Sequence, residues 1–233
     1  MRLILAGGGD ATRSSKVDSF YRSLNPGRRT IACIPHAIAP AEGAWEGAER
    51  WLLERPALKG FAAHTIGDLA GAEPATLSSF HSLFVMGGNT FTLLACVKAA
   101  GFGSKLRAVL DEVPIYGTSA GAIILGHDIE SAQVGPEPDE NTAGLLDLGA
   151  FDLLGGYNAY THFAPEQSRL LADFCRRANR PCIALSEAAG VFVEDQEITS
   201  IGADPVVIAY PSGASVRLEE GHTIRLLAFT EDA

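Results

Sequence analysis

Pro114-Ile115-Tyr116-Gly117-Thr118-Ser119-Ala120-Gly121-Ala122 is an apolar run that enters Gly-x-Ser-x-Gly and leaves through small residues into a helix predicted over 120–125. A strand-to-helix turn this sharp needs positions without a Cβ. Gly117 and Gly121 supply them and leave the Ser119 hydroxyl at the tip. The helix that begins there aims free N–H groups and its positive dipole end at whatever binds beside that hydroxyl. Such a place suits a nucleophile whose substrate develops an oxyanion. A glycine-rich turn with no chemical role is the alternative that the pattern alone leaves open.

Working outward, short apolar runs alternate with longer amphipathic segments. Strands are predicted at 2–6, 30–34, 62–66, 82–86, 114–116, 157–160 and 182–185, and helices at 14–24, 41–53, 90–100, 102–112, 120–125 and 165–178. Strands apolar throughout and separated by helices imply an α/β fold, a three-layer parallel sheet with helices on both faces. After Gly190 the texture changes to short runs with turn signals at 191–193, 206–210, 215–218 and 223–228, which predicts a small antiparallel C-terminal extension. Residues 135–141 read as an exposed loop. The 233 residues, 47% of them hydrophobic, suffice for one large core, so a single domain over 1–233 is expected.

Ligands of open parallel sheets bind beyond the carboxyl ends of the strands. Besides Ser119, three features fall there: Met86-Gly87-Gly88-Asn89-Thr90, then His162 in Tyr160-Thr161-His162-Phe163, then Glu187 in Leu185-Ser186-Glu187. A serine needs a base in contact, and a carboxylate on the far ring nitrogen sets the imidazole's tautomer and orientation. Of the six histidines, His162 is the favoured base and His36, also at a strand end, its main competitor. His64 and His81 belong to strand positions away from that edge, His127 follows the nucleophile helix, and His222 sits in a polar turn. Glu187 is the favoured acid because a carboxylate has no packing reason to end an apolar strand. Asp139 and Glu130 are the alternatives.

The backbone of Gly87-Gly88-Asn89, with the N–H of Ala120, forms a credible oxyanion hole. Gly87, Asn89 and Thr118 are the candidate substrate contacts, although Asn89 is equally suited to cap the helix that follows. Gly7-Gly8-Gly9-Asp10 fits neither a P-loop nor a dinucleotide fingerprint and is read as a wall of the site.

The net charge of −10 argues against nucleic acid and anionic membranes as partners. Cys33, Cys96, Cys175 and Cys182 show no Cys-x-x-Cys spacing and read as free thiols in a reducing compartment. The N-terminal run is too short for a signal peptide and no run reaches membrane-spanning length, so a cytoplasmic protein is expected. A small peptide is the expected partner, with no metal and no cofactor, and a homodimer is left open.

Gly87-Gly88-Asn89-Thr90-Phe91, Gly117-Thr118-Ser119-Ala120-Gly121-Ala122 and His162-Phe163, in this order and with a looser match at Leu185-Ser186-Glu187, resemble peptidase family S51. Peptidase E and cyanophycinase are its best-known members. The resemblance covers most of the chain, to about Val193. It implies a class I glutamine amidotransferase-like fold with serine in place of cysteine. By position it makes Ser119 the nucleophile, His162 the base, Glu187 the orienting acid, and Gly88 and Ala120 the oxyanion donors. Peptidase E selects an N-terminal aspartate with an arginine after the catalytic histidine. Here Phe163-Ala164-Pro165-Glu166-Gln167-Ser168-Arg169 places Pro165 near that position, so hydrolysis is implied but Asp-X selectivity is not. Arg169 is the one nearby cation left for the role.

Overall fold

The computed structural model describes residues 1–27, 29–39 and 44–229. In chain order the strands are β1 (Arg2–Ala6), β2 (Thr30–Ile34), β3 (Ala62–Thr65), β4 (Ser82–Val85), β5 (Ile115–Thr118), β6 (Asn158–Tyr160), β7 (Cys182–Ala184), β8 (Gly190–Glu194), β9 (Glu197–Ser200), β10 (Val206–Ala209), β11 (Ser215–Leu218) and β12 (Thr223–Arg225). The helices are α1 (Ser15–Ser23), α2 (Ala44–Leu53), α3 (Pro74–Ser78), α4 (Thr90–Ala99), α5 (Phe102–Val109), α6 (Ala120–Ile123) and α7 (Ser168–Ala178). The predicted start of the second helix at 41–43 lies outside the described residues.

Eight strands form one sheet in the order β12-β9-β8-β1-β5-β4-β2-β3. From β1 to β3 every neighbouring pair is parallel, while β8, β9 and β12 add an antiparallel margin. Successive residues of these strands face opposite sides, as the two-residue period requires. Leu3 and Leu5 join the core under α4 and α5 with Phe91, Leu94 and Leu106, whereas Ile4 and Ala6 pack beneath α1 and α2 with Tyr21 and Leu52. Both faces are covered, which is why the inner parallel strands β4 and β5 are buried at every position.

The runs at 157–160 and 182–185 fold as β6 and β7, parallel to each other, but in a second sheet ordered β11-β10-β7-β6. One face of this sheet (Ala159, Ile183, Ile208) joins the core shared with the main sheet. The other packs against Phe174 and Leu171 of α7. Three strands of the tail, β8, β9 and β12, thus extend the main sheet from β1, and two, β10 and β11, extend the second from β7. The helices predicted at 102–112 and 120–125 end early, at Val109 and Ile123. The segment at 165–178 opens as a 3-10 turn, Pro165–Gln167, because Pro165 starts it without a donor N–H. Among the described residues, no helix is long and apolar enough to cross a membrane.

Candidate active site

β1, β4, β5, β6 and β7 all end at one edge, and their following loops meet there. The elbow is tight: a Cβ on Gly121 would lie 2.1 Å from the Val85 carbonyl oxygen, and one on Gly117 would lie 2.2 Å from that of Gly121. Ser119 takes φ 52° and ψ −119°, a backbone conformation a side chain rarely adopts. Its N–H donates to the Ala6 carbonyl at 3.1 Å, so the end of β1 pins the turn.

Ser119 Oγ lies 2.9 Å from His162 Nε2, and His162 Nδ1 lies 3.3 Å from Glu187 Oε1. His162 also has positive φ, 53°. Its N–H donates to the Gly7 carbonyl at 3.0 Å, while the next N–H, of Phe163, donates to Leu185 at 3.0 Å. These bonds lash the ends of β1, β6 and β7 together and aim the imidazole at Ser119. Gly8 forms the wall behind it: a Cβ there would come within 2.4 Å of the ring.

Glu187 Oε2 accepts from Arg13 Nη1, which leaves Oε1 for the histidine. Arg13 is the residue the sequence reading missed. Its position follows from an Asx turn, in which Asp10 Oδ1 accepts from the N–H groups of Thr12 and Arg13 at 2.9 Å each. Those two bonds hold the Asp10 carboxyl below the usual range. Gly9-Asp10 after a strand was the available signal for such a turn; nothing in it indicated that Arg13 would reach Glu187.

The N–H groups of Gly88 and Ala120 donate to no acceptor among the described residues and flank the serine. Asn89 caps α4, accepting from the Thr92 N–H at 2.9 Å, and donates to the Glu140 carbonyl at 3.0 Å. Thr118 and Gly87 line an apolar cavity of about 390 Å³ with Ile38, Met86 and Trp51. A larger cavity of about 620 Å³ opens on the other side of Ser119, with His162, Glu187, Thr90, Asp139 and Glu137 on its walls.

The competing histidines lie elsewhere. His36 is buried against Trp45, with Nε2 3.3 Å from the Gly67 carbonyl oxygen, and desolvation lowers its pKa. His127 faces Asp152, His81 bonds Thr30, His64 packs on Phe80, and His222 sits in the turn beyond Ser200. Asp139 Oδ2 takes the Thr90 N–H at 2.8 Å, while Glu130 is exposed and lines neither cavity. Arg169 is exposed on the first turn of α7 and lines neither cavity.

A strained elbow serine, an imidazole in contact with it and a carboxylate behind the imidazole, set at the carboxyl edge of a mostly parallel sheet, are the constellation of a serine hydrolase. The family comparison gives this class a narrower place. Residues 3–201 match the model of peptidase family S51, and the chain belongs to that family of serine-type peptidases.

Two solved structures share the fold. A peptidase from an acI-B1 Actinobacterium superposes with a TM-score of 0.71 over 96% of each chain at 15% identity. A candidate peptidase E from Listeria monocytogenes EGD-e gives 0.64 over 86% of this chain and 98% of its own, at 18% identity. More distant similarity reaches pyridoxal 5'-phosphate synthase subunit PdxT. The match to the Fervidobacterium nodosum protein is 29% identical over 112 residues, 48% of this chain, and takes in 49% of that protein's length. For Streptomyces avermitilis it is 26% over 152 residues, 65% of this chain and 68% of the relative.

Proposed function

We propose that this chain hydrolyses short peptides through a Ser119–His162–Glu187 triad. The observation that carries the reading is the continuous contact from Glu187 through His162 to Ser119, at 3.3 and 2.9 Å, on the wall of an open cavity. Glu187 accepts a hydrogen bond from Nδ1–H, which keeps the proton on that nitrogen and leaves Nε2 unprotonated toward the serine. As Oγ attacks the scissile carbonyl, Nε2 takes its proton, and the developing oxyanion lies against the N–H groups of Gly88 and Ala120. His162 then returns the proton to the leaving amine. Water, activated by the same imidazole, releases the acyl group and frees Ser119. Each oxyanion donor of this kind is worth about 3–4 kcal/mol of barrier.

Selectivity for an N-terminal aspartate is not part of the proposal. A carboxylate bound in a partly dry cavity needs a cation, and among the described residues neither Arg169 nor any other lysine or arginine lines this one. The test is a dipeptide library incubated with the wild-type protein and with Ser119→Ala, read by mass spectrometry. Ser119-dependent cleavage of neutral or basic dipeptides in preference to Asp-Leu is the expected result. Cleavage that survives Ser119→Ala, or a tenfold preference for Asp-Leu, would refute the corresponding half of the reading.

A further inference from the structure

Two uncharged hydrogen-bond donors of the 620 Å³ cavity are unused. Tyr160 and Gln167 line it together with Ser119 and Gly135. Gln167 Oε1 accepts the Ala164 N–H at 2.8 Å, which fixes the side-chain amide and leaves both hydrogens of Nε2 free. Neither Nε2 nor the Tyr160 hydroxyl makes a hydrogen bond among the described residues. Both atoms face Gly135: a Cβ there would stand 3.0 Å from the hydroxyl and 4.0 Å from Nε2. Gly135 takes φ 124°, a conformation a side chain rarely adopts, so the space over the pair stays clear.

The hydroxyl is accessible although the rest of its ring is buried. Tyr160 is 2% exposed, and its ring packs with Phe163 in the core beneath α7. Six side-chain polar atoms among the described residues lack both a partner and accessible surface, and the Tyr160 hydroxyl, which also lacks a partner, is not one of them. Burial pushes the phenol up, so the hydroxyl keeps its proton and donates. Two such donors suit either a carboxylate or a neutral carbonyl oxygen, and charge decides between them. Glu137, two residues beyond Gly135, lines the same cavity, as do Asp139 and Glu187, and among the described residues no lysine or arginine does. A bound carboxylate would meet like charge with no cation to offset it. A primary amide brings the same carbonyl oxygen without the charge, and its N–H groups are donors that an acidic wall accepts.

We infer that Tyr160 and Gln167 form a specificity subsite for an uncharged amide side chain, that of an asparagine or glutamine in the peptide substrate. The inference rests on the peptidase reading, since it takes the peptide to react at Ser119. Tyr160 ends β6 two residues before His162, a span of at most about 7 Å of chain, so a side chain held there belongs to a residue flanking the scissile bond. The carbonyl oxygen of that side chain accepts from the Tyr160 hydroxyl and from Gln167 Nε2.

Binding to Ser119→Ala, measured by titration calorimetry at about pH 7, tests this without requiring turnover. Asn-Leu and Gln-Leu are compared with Asp-Leu, Glu-Leu and Leu-Leu, and the same set is run in reverse order with leucine first. At least one amide peptide should bind about threefold or more tighter than both its acid counterpart and Leu-Leu, the scale of one or two neutral hydrogen bonds. Adding Tyr160→Phe, which removes only the hydroxyl, should bring that advantage over Leu-Leu below threefold. So should Gln167→Glu, which keeps an oxygen for the Ala164 N–H and removes the second donor. Leu-Leu binding should stay within about twofold in both variants, which shows the cavity intact. An advantage below threefold for every amide peptide, one that survives either substitution, an equal loss of Leu-Leu binding, or no binding of any peptide would each overturn the subsite. Wild-type turnover is read separately. Binding with the expected preference but without Ser119-dependent cleavage would sink the peptidase reading and leave the subsite standing.

Discussion

Arg13 and Glu187 meet in the open at the carboxyl edge of the sheet, their side chains 61% and 36% exposed, whereas Arg55 and Asp18 meet beneath α1 at 2% and 1%. An exposed pair contributes little net stability, about 0–1 kcal/mol, because water and lost side-chain freedom offset the attraction. Its consequence here is orientation, since it fixes which oxygen of Glu187 faces His162. The buried pair cannot draw on water. Asp18 accepts from Arg55 Nε and from the Tyr116 hydroxyl at 2.8 Å each, and Arg55 lies over the Trp51 ring at 4.7 Å. Burial raises the Asp18 carboxyl above its usual range, with Arg55 opposing the shift. The two pairs are joined through a few residues: Arg55 also donates to Ser14, whose hydroxyl donates to the carbonyl of Asp10, the residue whose side chain shapes the turn at Arg13. The buried pair holds the loop, and the loop presents the exposed pair.

Substitutions should separate these roles. The largest effect belongs to the exposed side: Ser119→Ala or His162→Ala should each lower kcat/KM by about three orders of magnitude or more, with the double variant no worse than the singles. Thermal unfolding of both should stay close to wild type. Next, Arg55→Met should lower stability by about 3–5 kcal/mol, because it leaves Asp18 buried and unpaired, while kcat of the folded fraction at 10 °C falls by about tenfold at most, the loss expected when the loop no longer presents Arg13. A carboxyl whose folded pKa is raised contributes stability that is present below its unfolded pKa and lost as pH rises through the folded one. Without Arg55 the carboxyl rises further, so the urea midpoint deficit of Arg55→Met should be smaller at pH 5 than at pH 7.5. Smaller still, Arg13→Ala should cost about tenfold or less in kcat, through looser placement of Glu187, with a melting temperature within about 4 °C of wild type. Arg169→Ala should change neither kcat nor KM by more than about twofold; a larger loss would put that arginine back in the pocket.

The elbow and the strand-end residues were legible because they break local rules. Glycines crowd a sharp turn at Gly117 and Gly121, and a carboxylate ends an apolar run at Glu187. The division into two sheets was not legible, since β6 and β7 are buried on both faces like the inner strands of the main sheet, and pairing between distant runs leaves no local mark. Five-residue α3 was missed because it is too short to show a helical period, although Pro74 at its first position was a usable signal. Asp139 was weighed as an orienting acid on sequence proximity to Ser119; the fold instead gives its carboxylate to the start of α4, on the wall of the same cavity as Glu187. Such assignments depend on long-range packing that only the assembled edge reveals.

The central claim, that His162 activates Ser119, is tested most directly by the rate of fluorophosphonate modification on the intact protein, with the modified residue located by peptide mass spectrometry. A single adduct at Ser119 that forms at least about a hundredfold more slowly in His162→Ala, and at the wild-type rate in His36→Ala and His222→Ala, is the predicted result. An adduct on another residue, or equal rates in wild type and His162→Ala, would contradict the account.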